Sequence, residues 1–508
     1  MVDQQFPRLA PLLILTASMV LAGCTNEPAK VEWPKVEVES SRDKVLLKAN
    51  YLVKIKGHTV GYVLLDAKHD EKVDEVYGTW FMTLQLNRGA ATNVSLMDVH
   101  FVESSDGVLK SMTVDSNEGG ATATFAVVAG DSLEVRVEKS DEVEDKQIPW
   151  QQGTLGPLGI DLSLVRDMMK PGESRSLSNV EPTNLAVYKQ TLRAHDLEKI
   201  EDFPKQSLLQ IDVLSDGGEG ISLEGKLWVN SEGVTMKATY PQMGMEFLYV
   251  EDRMEVTGSF LDSSRTIEAV DFNDVTSVEI GGIYDQEASR QELTLYSALT
   301  DLSDMFSNTL YQTVKKKSED EVMLELSDDI LNTELNAENP SKEYLASSLL
   351  IEVEHAGIRA KVQELTEELE AEVEKVMAIQ EFVYEHMDKK NYSKAMASAA
   401  DAFESGEGDC TEHACLFAAM TRAAGLPTRL VNGLVAIPDG GQTNCCFHMW
   451  NEVYLDGRWK SVDATRRLDR VKWSRYIKIA DSSLADENDQ EFLLAGMVLL
   501  GDLRVFCR

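Results

Sequence analysis

The sequence predicts an α+β protein, with a β-rich antiparallel N-terminal region followed by a C-terminal α+β domain. Three observations predict it. From about Lys48 to Lys139, short β-branched runs such as YLVKIK, TVGYVLL and LEVRVEK alternate apolar with polar residues and are separated by Gly or Asp-Gly, which is the pattern of antiparallel strands. From Ile358, apolar residues recur at intervals of three and four through Val362, Leu365, Leu369, Val373, Val376, Ile379 and Val383, so a helix or helix pair buries one stripe. Beyond Gly408 a helical stretch is followed by a hairpin centred on Asp456-Gly457.

In chain order, the first element is an export segment. Arg8 precedes an apolar run from Leu12 to Leu21, too short to span a bilayer and placed as a cleaved signal would be. The junction Leu21, Ala22, Gly23, Cys24 resembles the bacterial lipoprotein box, which implies lipidation of Cys24. Residues 1–23 are therefore expected to be a lipoprotein signal peptide and residues 24–45, polar with two prolines, a tether. The mature chain is expected outside the cytoplasm, in the periplasm or at the cell surface, held to the membrane through its N-terminal lipid. Residues 46–275 are the β-rich region, interrupted from Ile148 to about Pro171 by a Pro/Gly-rich interval with a short helical stretch. Strand patterns resume in LLQIDVL, LEGKLWV and VTMKATY. Residues 276–342 carry mixed signals and are assigned as connecting structure with a few strands. Residues 343–508 form the last domain.

A chain of 508 residues is long for one core and suggests two or three folding units. With 49 Lys plus Arg against 86 Asp plus Glu, the formal charge is -37, spread along the chain. Nucleic acid is excluded as an expected partner, because phosphate binding needs a basic footprint. Apart from Cys24, the cysteines are Cys410, Cys415, Cys445, Cys446 and Cys507. Export permits disulfides, but five is odd, so at least one thiol stays free. Cys410 is the candidate.

GDCTEHACLFAAMTRAAGLP turns helical after Gly406 and Gly408 and ends at Gly425, with Pro427 beyond. Cys410 falls in the first turn, where the helix dipole and unpaired amides stabilise a thiolate and an oxyanion. Cys415, deeper in the helix, reads as a small buried residue. In FHMWNEVYLDGRWKSVDAT, a two-residue loop at Asp456-Gly457 pairs Leu455 with Arg458. Asp463 then faces Trp450, and His448, two residues earlier, shares its face on the diagonal. Glu452 shares that face too but lies about 13 Å along the strand from His448. Thiolate, base and orienting carboxylate are the parts needed for covalent acyl transfer.

These stretches, GDCTEHACLFAAMTRAAGLPTRLVNG and HMWNEVYLDGRWKSVDAT, resemble the transglutaminase-like superfamily: Cys in a Gly-Asp-Cys turn, His followed by Trp and Glu, and Asp after a Trp-containing strand. The resemblance runs from about Glu343 to the C-terminus. It implies a papain-like, transglutaminase-like α+β domain with Cys410 as nucleophile, His448 as general base and acid, and Asp463 orienting it. The implied enzyme is a cysteine acyltransferase or peptidase acting on peptide or glutamine carboxamide groups of a protein or peptide substrate. Resolution of the thioester by water or by an amine stays open. The alternative is a non-catalytic surface binding or assembly module that keeps the fold, which would be marked by loss of Cys410 or His448.

Two rival assignments concern the same residues. His413 lies three residues after Cys410, nearly on the same helix face. Cys410, His413, Cys415, Cys445, Cys446 and His448 include zinc ligand types, but the paired CxxC knuckles are missing and adjacent Cys445 and Cys446 point oppositely on a strand. No metal and no cofactor is expected. Trp450 and Trp459 read as hairpin core.

Overall fold

Alternating side chains on a strand leave one face apolar, and such a face must be covered. The computed structural model describes residues 44–508, apart from short segments at 89–90, 117–121, 140–141, 183–184, 217–221, 255–256, 258–269, 272–274, 333–339, 349, 389–396, 440, 485–491, 493–498 and 500. The expected signal segment, Cys24 and nearly all of the tether lie outside the described residues. Two compact units divide the chain, one of residues 44–87 with 94–270 and one of residues 88–93 with 271–508. Both are mixed or β-rich, which makes the protein α+β.

In the first unit, β1 (Lys44–Ile55), β2 (His58–Asp70), β3 (Glu75–Arg88), β4 (Ala91–Ser104), β5 (Leu109–Ser116), β6 (Thr122–Ala129), β7 (Ser132–Lys139) and β8 (Glu142–Pro149) form a meander. After α1 (Gly159–Arg166), a second meander runs through β9 (Ser174–Val180), β10 (Val187–Glu198), β11 (Leu208–Asp216), β12 (Ser222–Val229), β13 (Thr235–Tyr240) and β14 (Met245–Tyr249). Antiparallel pairing of β1 with β14 joins them into one 14-stranded sheet. The alternation reads directly onto burial, since Ala49, Tyr51 and Val53 of β1 are buried. Leu162 and Leu164 of α1 are fully buried as well.

The second unit contains β15 (Val278–Gly281), β16 (Arg290–Tyr296), β17 (Gln312–Lys316) and β18 (Glu321–Ser327), then α2 (Ala356–Thr366), α3 (Glu372–His386), α4 (Ala399–Ser405) and α5 (Cys410–Ala423). It closes with β19 (Thr428–Asp439), β20 (Gln442–Leu455), β21 (Arg458–Val462), β22 (Tyr476–Ser482) and β23 (Arg504–Cys507). The sheet order is β17-β18-β16-β23-β15-β20-β19-β22, with β21 paired to β20, and only the β15–β23 pairing is parallel among the described strands. The interval 276–342, expected as connecting structure with a few strands, supplies four strands to the sheet that carries the C-terminal elements. Its runs are short and separated by turn-rich stretches, which hid their periodicity. The long apolar stripe splits into α2 and α3, and Val373 ends up half-exposed beside the break.

Helix α5 is the centre of this unit. It packs against α2, α3 and α4 on one side and against β19 and β20 on the other, so it is buried nearly all round. Leu416, Phe417 and Met420 are fully buried, each contributing about 2 kcal/mol of apolar transfer. The C-terminal end is tied down by Arg422, whose guanidinium donates to the carbonyls of Thr428 at 2.8 Å, Ala346 at 2.8 Å and Ser483 at 2.5 Å. Both ends of the helix that bears Cys410 are thus held.

Candidate active site

The start of α5 is built by Gly408-Asp409-Cys410-Thr411-Glu412. Asp409 is the N-cap: its side chain accepts from the Thr411 amide at 2.9 Å, and Glu412 reaches back to the Asp409 amide at 2.7 Å. Glu412 is fully buried and also accepts from the Ala397 amide at 2.9 Å. Gly408 has φ +152°, and a Cβ there would lie 2.4 Å from Cβ of Glu412. Gly408→Ala is expected to cost about 2 kcal/mol or more, from backbone strain and overpacking, and denaturant titration checks it. This box sets Cys410 in the first turn, partly exposed, against the positive end of the helix dipole.

The base and its partner come from the β20–β21 hairpin. Asp456 and Gly457 have φ of +53° and +78°, as a two-residue type I′ loop requires. Leu455 pairs with Arg458 and Asn451 with Val462, so Asp463 follows directly on the strand opposite His448's end of β20. Asp463 Oδ2 lies 2.8 Å from His448 Nε2. With Nε2 occupied, Nδ1 is the nitrogen left for the Cys410 side chain, which is hydrogen-bonded to the imidazole. The structure thus brings Cys410, His448 and Asp463 together.

Asp463 is fully buried and saturated. Oδ2 also accepts from the Tyr476 hydroxyl at 2.6 Å, and Oδ1 accepts from the Thr465 amide at 2.9 Å and its hydroxyl at 2.7 Å. Burial pushes its pKa up, but His448, Tyr476 and Thr465 outweigh that and hold the carboxyl well below the usual carboxylate range. For His448, burial pulls the pKa down, while Asp463 and then Cys410 raise it, with a net result of about 9. The imidazole is therefore protonated at neutral pH.

Aromatic rings wall the imidazole. Trp450 stacks on it with centroids 6.1 Å apart and Tyr476 meets it edge-on at 5.8 Å. Gly433 pairs opposite His448, and a Cβ there would come within 2.6 Å of the Trp450 ring and 2.1 Å of the Ile477 carbonyl. Trp450 belongs to a buried cluster with Val431, Val435 and Tyr476, while Trp459 stacks under the Arg429 guanidinium at 4.3 Å.

The remaining candidates lie elsewhere. His413 Nδ1 is 2.5 Å from the Asp409 carbonyl, within its own helix, and Cys415 is buried in the core. None of the five cysteines among the described residues is bridged. Cys445 is buried and Cys446 half-buried on alternate faces of β20, and burial pushes the Cys446 thiol up to about 11. Sequence reasoning missed Tyr476, Thr465 and Gln380, whose amide donates to the Arg466 carbonyl at 2.5 Å in the turn after Asp463.

Residues 359–464 match the transglutaminase-like superfamily. Kyphoscoliosis peptidase of Mus musculus and that of Homo sapiens are each 30% identical over 120 residues, which is 22% of this chain and 18% of theirs. The match therefore spans less than a fifth of these relatives. Among solved structures, one described as a proposed cysteine protease from Cytophaga hutchinsonii is 16% identical, covering 46% of this chain and 83% of that one, with a TM-score of 0.28. A beta-barrel-like protein with a domain of unknown function from Brucella abortus is 11% identical, covering 40% and 95%, with a TM-score of 0.31.

Proposed function

We propose, from the match of residues 359–464 to the transglutaminase-like superfamily, that this chain is a cysteine acyl-transfer enzyme acting on peptide or glutamine carboxamide groups. The observation that supports this most is the imidazole of His448, held by Asp463 on one nitrogen and hydrogen-bonded to Cys410 on its other side, at a helix start. A raised His448 pKa beside a thiol favours the imidazolium–thiolate pair.

In this reading the Cys410 sulfur attacks the carbonyl carbon, and the electrons of the C=O bond move to oxygen. As the carbonyl re-forms, the C–N bond breaks. His448 gives its proton to the leaving nitrogen, so ammonia or an amine departs and a thioester remains. Neutral His448 then takes a proton from the incoming nucleophile, which attacks the thioester and releases Cys410 as thiolate. Asp463 keeps the ring oriented and stabilises its charge throughout. The curated relatives are named as a peptidase, which favours water as that nucleophile; a lysine amine would give a cross-link instead.

The test is incubation of the chain with glutamine-containing peptides, with ammonia release and new peptide termini followed together. Turnover absent from Cys410→Ala supports the proposal, and equal turnover in that variant refutes it. Export and anchoring are part of the same proposal, resting on Leu21-Ala22-Gly23-Cys24. Cys24→Ala is expected to abolish incorporation of labelled fatty acid and release the chain from membranes. Normal membrane attachment of that variant would count against the anchor.

A further inference from the structure

The chain between β21 and β22 forms a loop whose two ends meet at the triad. It leaves from Asp463 and returns at Tyr476, whose hydroxyl donates to Asp463 Oδ2 at 2.6 Å. Residues 464–475 between them carry five cations, Arg466, Arg467, Arg470, Lys472 and Arg475, and one carboxylate, Asp469. The whole chain has 49 Lys plus Arg in 508 residues and a formal charge of -37, so this loop departs from it in both the density and the sign of its charge.

The loop is held in place along its length. Gln380 of α3 donates to the Arg466 carbonyl at 2.5 Å, and at the far end the Ser474 hydroxyl donates to the Ala288 carbonyl at 3.0 Å while its amide donates to Asp328 at 2.9 Å. Trp473 lies against Tyr476 with centroids 4.8 Å apart and stacks on Tyr311 at 5.4 Å. A backbone fixed in this way presents its side chains at little ordering cost.

Part of the charge is spent within the chain. Lys472 and Arg475 share Glu287, at 2.5 and 3.8 Å. Arg466 Nε lies 3.7 Å from Asp463 Oδ2, but that carboxylate already accepts from His448, Tyr476 and Thr465, and the Arg466 side chain is 41% exposed. Arg467 is 64% exposed and its one ion pair among the described residues is with Asp469, at 3.4 Å. Arg470 is exposed too, and no ion pair holds it among the described residues. Three guanidiniums therefore face solvent from a loop in contact with the triad, and each is a planar fork that takes a carboxylate through paired hydrogen bonds. Exposed charges more than about 8 Å away are largely screened at physiological ionic strength, so these arginines outweigh the distributed negative charge in deciding what docks here.

We propose that this loop selects acidic polypeptide segments as the substrate, its arginines pairing with Asp or Glu side chains that flank the carboxamide presented to Cys410. The inference rests on the acyl-transfer reading of that site and adds the substrate class. Arg466 lies nearest the triad, and Arg467 and Arg470 meet acidic residues further along the bound segment.

The test is fluorescence anisotropy with the full Cys410→Ala chain, which binds without turning over, and three labelled peptides that carry a glutamine flanked by glutamates, by serines or by lysines. The glutamate peptide should bind about tenfold tighter than the serine peptide in about 50 mM salt, with the lysine peptide weakest, and most of that difference should vanish in about 0.5 M salt. Adding Arg467→Glu and Arg470→Glu, both at exposed positions, should reverse the order, and Arg467→Gln with Arg470→Gln should level the glutamate and serine peptides. Equal binding of these two peptides by the Cys410→Ala chain, an order unchanged by either pair of substitutions in a folded chain, or tighter binding of inorganic polyphosphate than of the glutamate peptide overturns the proposal. Because binding is read without turnover, an inactive wild-type chain would refute the acyl-transfer reading separately.

Discussion

His448→Ala is expected to abolish nearly all turnover, on the order of a thousandfold or more, because one ring performs both proton transfers in the proposed cycle. Asp463→Asn should leave a folded enzyme slowed on the order of a hundredfold or more. Its pH profile carries further information. Burial lowers the pKa of His448, and it stands near 9 only because Asp463 and Cys410 oppose that pull. The alkaline limb of kcat/KM is therefore expected near pH 9, and Asp463→Asn, which removes the largest opposing contribution while burial remains, should move that limb to lower pH. The sign for stability follows from the same shift. A folded-state pKa above the unfolded value of about 6.5 gives stability that is fully present below that value and is lost as pH rises through about 9. Rate measurements across pH 6 to 10 on both variants check these outcomes, and an unshifted limb in Asp463→Asn would remove Asp463 from the account.

Lys478→Met should cause the largest loss of stability in the second unit, about 3 kcal/mol or more. Lys478 is buried on β22 and lies 2.7 Å from both Glu452 of β20 and Asp481. Arg429 of β19 completes the group, 2.7 Å from each of the same two carboxylates. Two cations thus neutralise two anions across the strands that carry His448. Removing one cation leaves two carboxylates to share Arg429 in a site where Asp481, despite its burial, is held below its ordinary pKa by Lys478 and Arg429. The double variant Lys478→Met with Glu452→Gln removes one charge of each sign and should lose less than the single variant. Denaturant titration followed by tryptophan fluorescence compares them, and a double variant less stable than the single one would contradict this reading of the network.

The parts of the site governed by local geometry were legible in the sequence. Asp456-Gly457 specifies a two-residue loop, and once that loop exists the register carries His448 and Asp463 to the same face. Gly406 and Gly408 before a helical run put Cys410 in the first turn of α5, whereas the capping box of Asp409 and Glu412 that fixes it there came from the structure. Tyr476 and Lys478 were not legible, because their places depend on how β22 pairs with β19, a contact between distant segments with no turn to set it. Gln380 was hidden for the same reason, since it reaches the turn after Asp463 from α3, whereas Thr465, two residues from Asp463, acts within an irregular turn that no alternation marks. In the fold, strong alternation announced the long strands of the first sheet. The short strands β15 to β18 carry too few residues each for alternation to stand out from turns, and their membership in the second sheet is decided by pairing with β20 and β23.

The central claim is that Cys410 is a nucleophile held as a thiolate by His448, and the most direct measurement of it is the rate of alkylation of each cysteine by iodoacetamide, read by peptide mass spectrometry. At neutral pH Cys410 should react faster than Cys415, Cys446 and Cys507, and His448→Ala should bring its rate down to that of an ordinary thiol. A chain in which Cys446 or Cys507 is modified while Cys410 stays unreacted, or in which His448→Ala leaves the Cys410 rate unchanged, would contradict it.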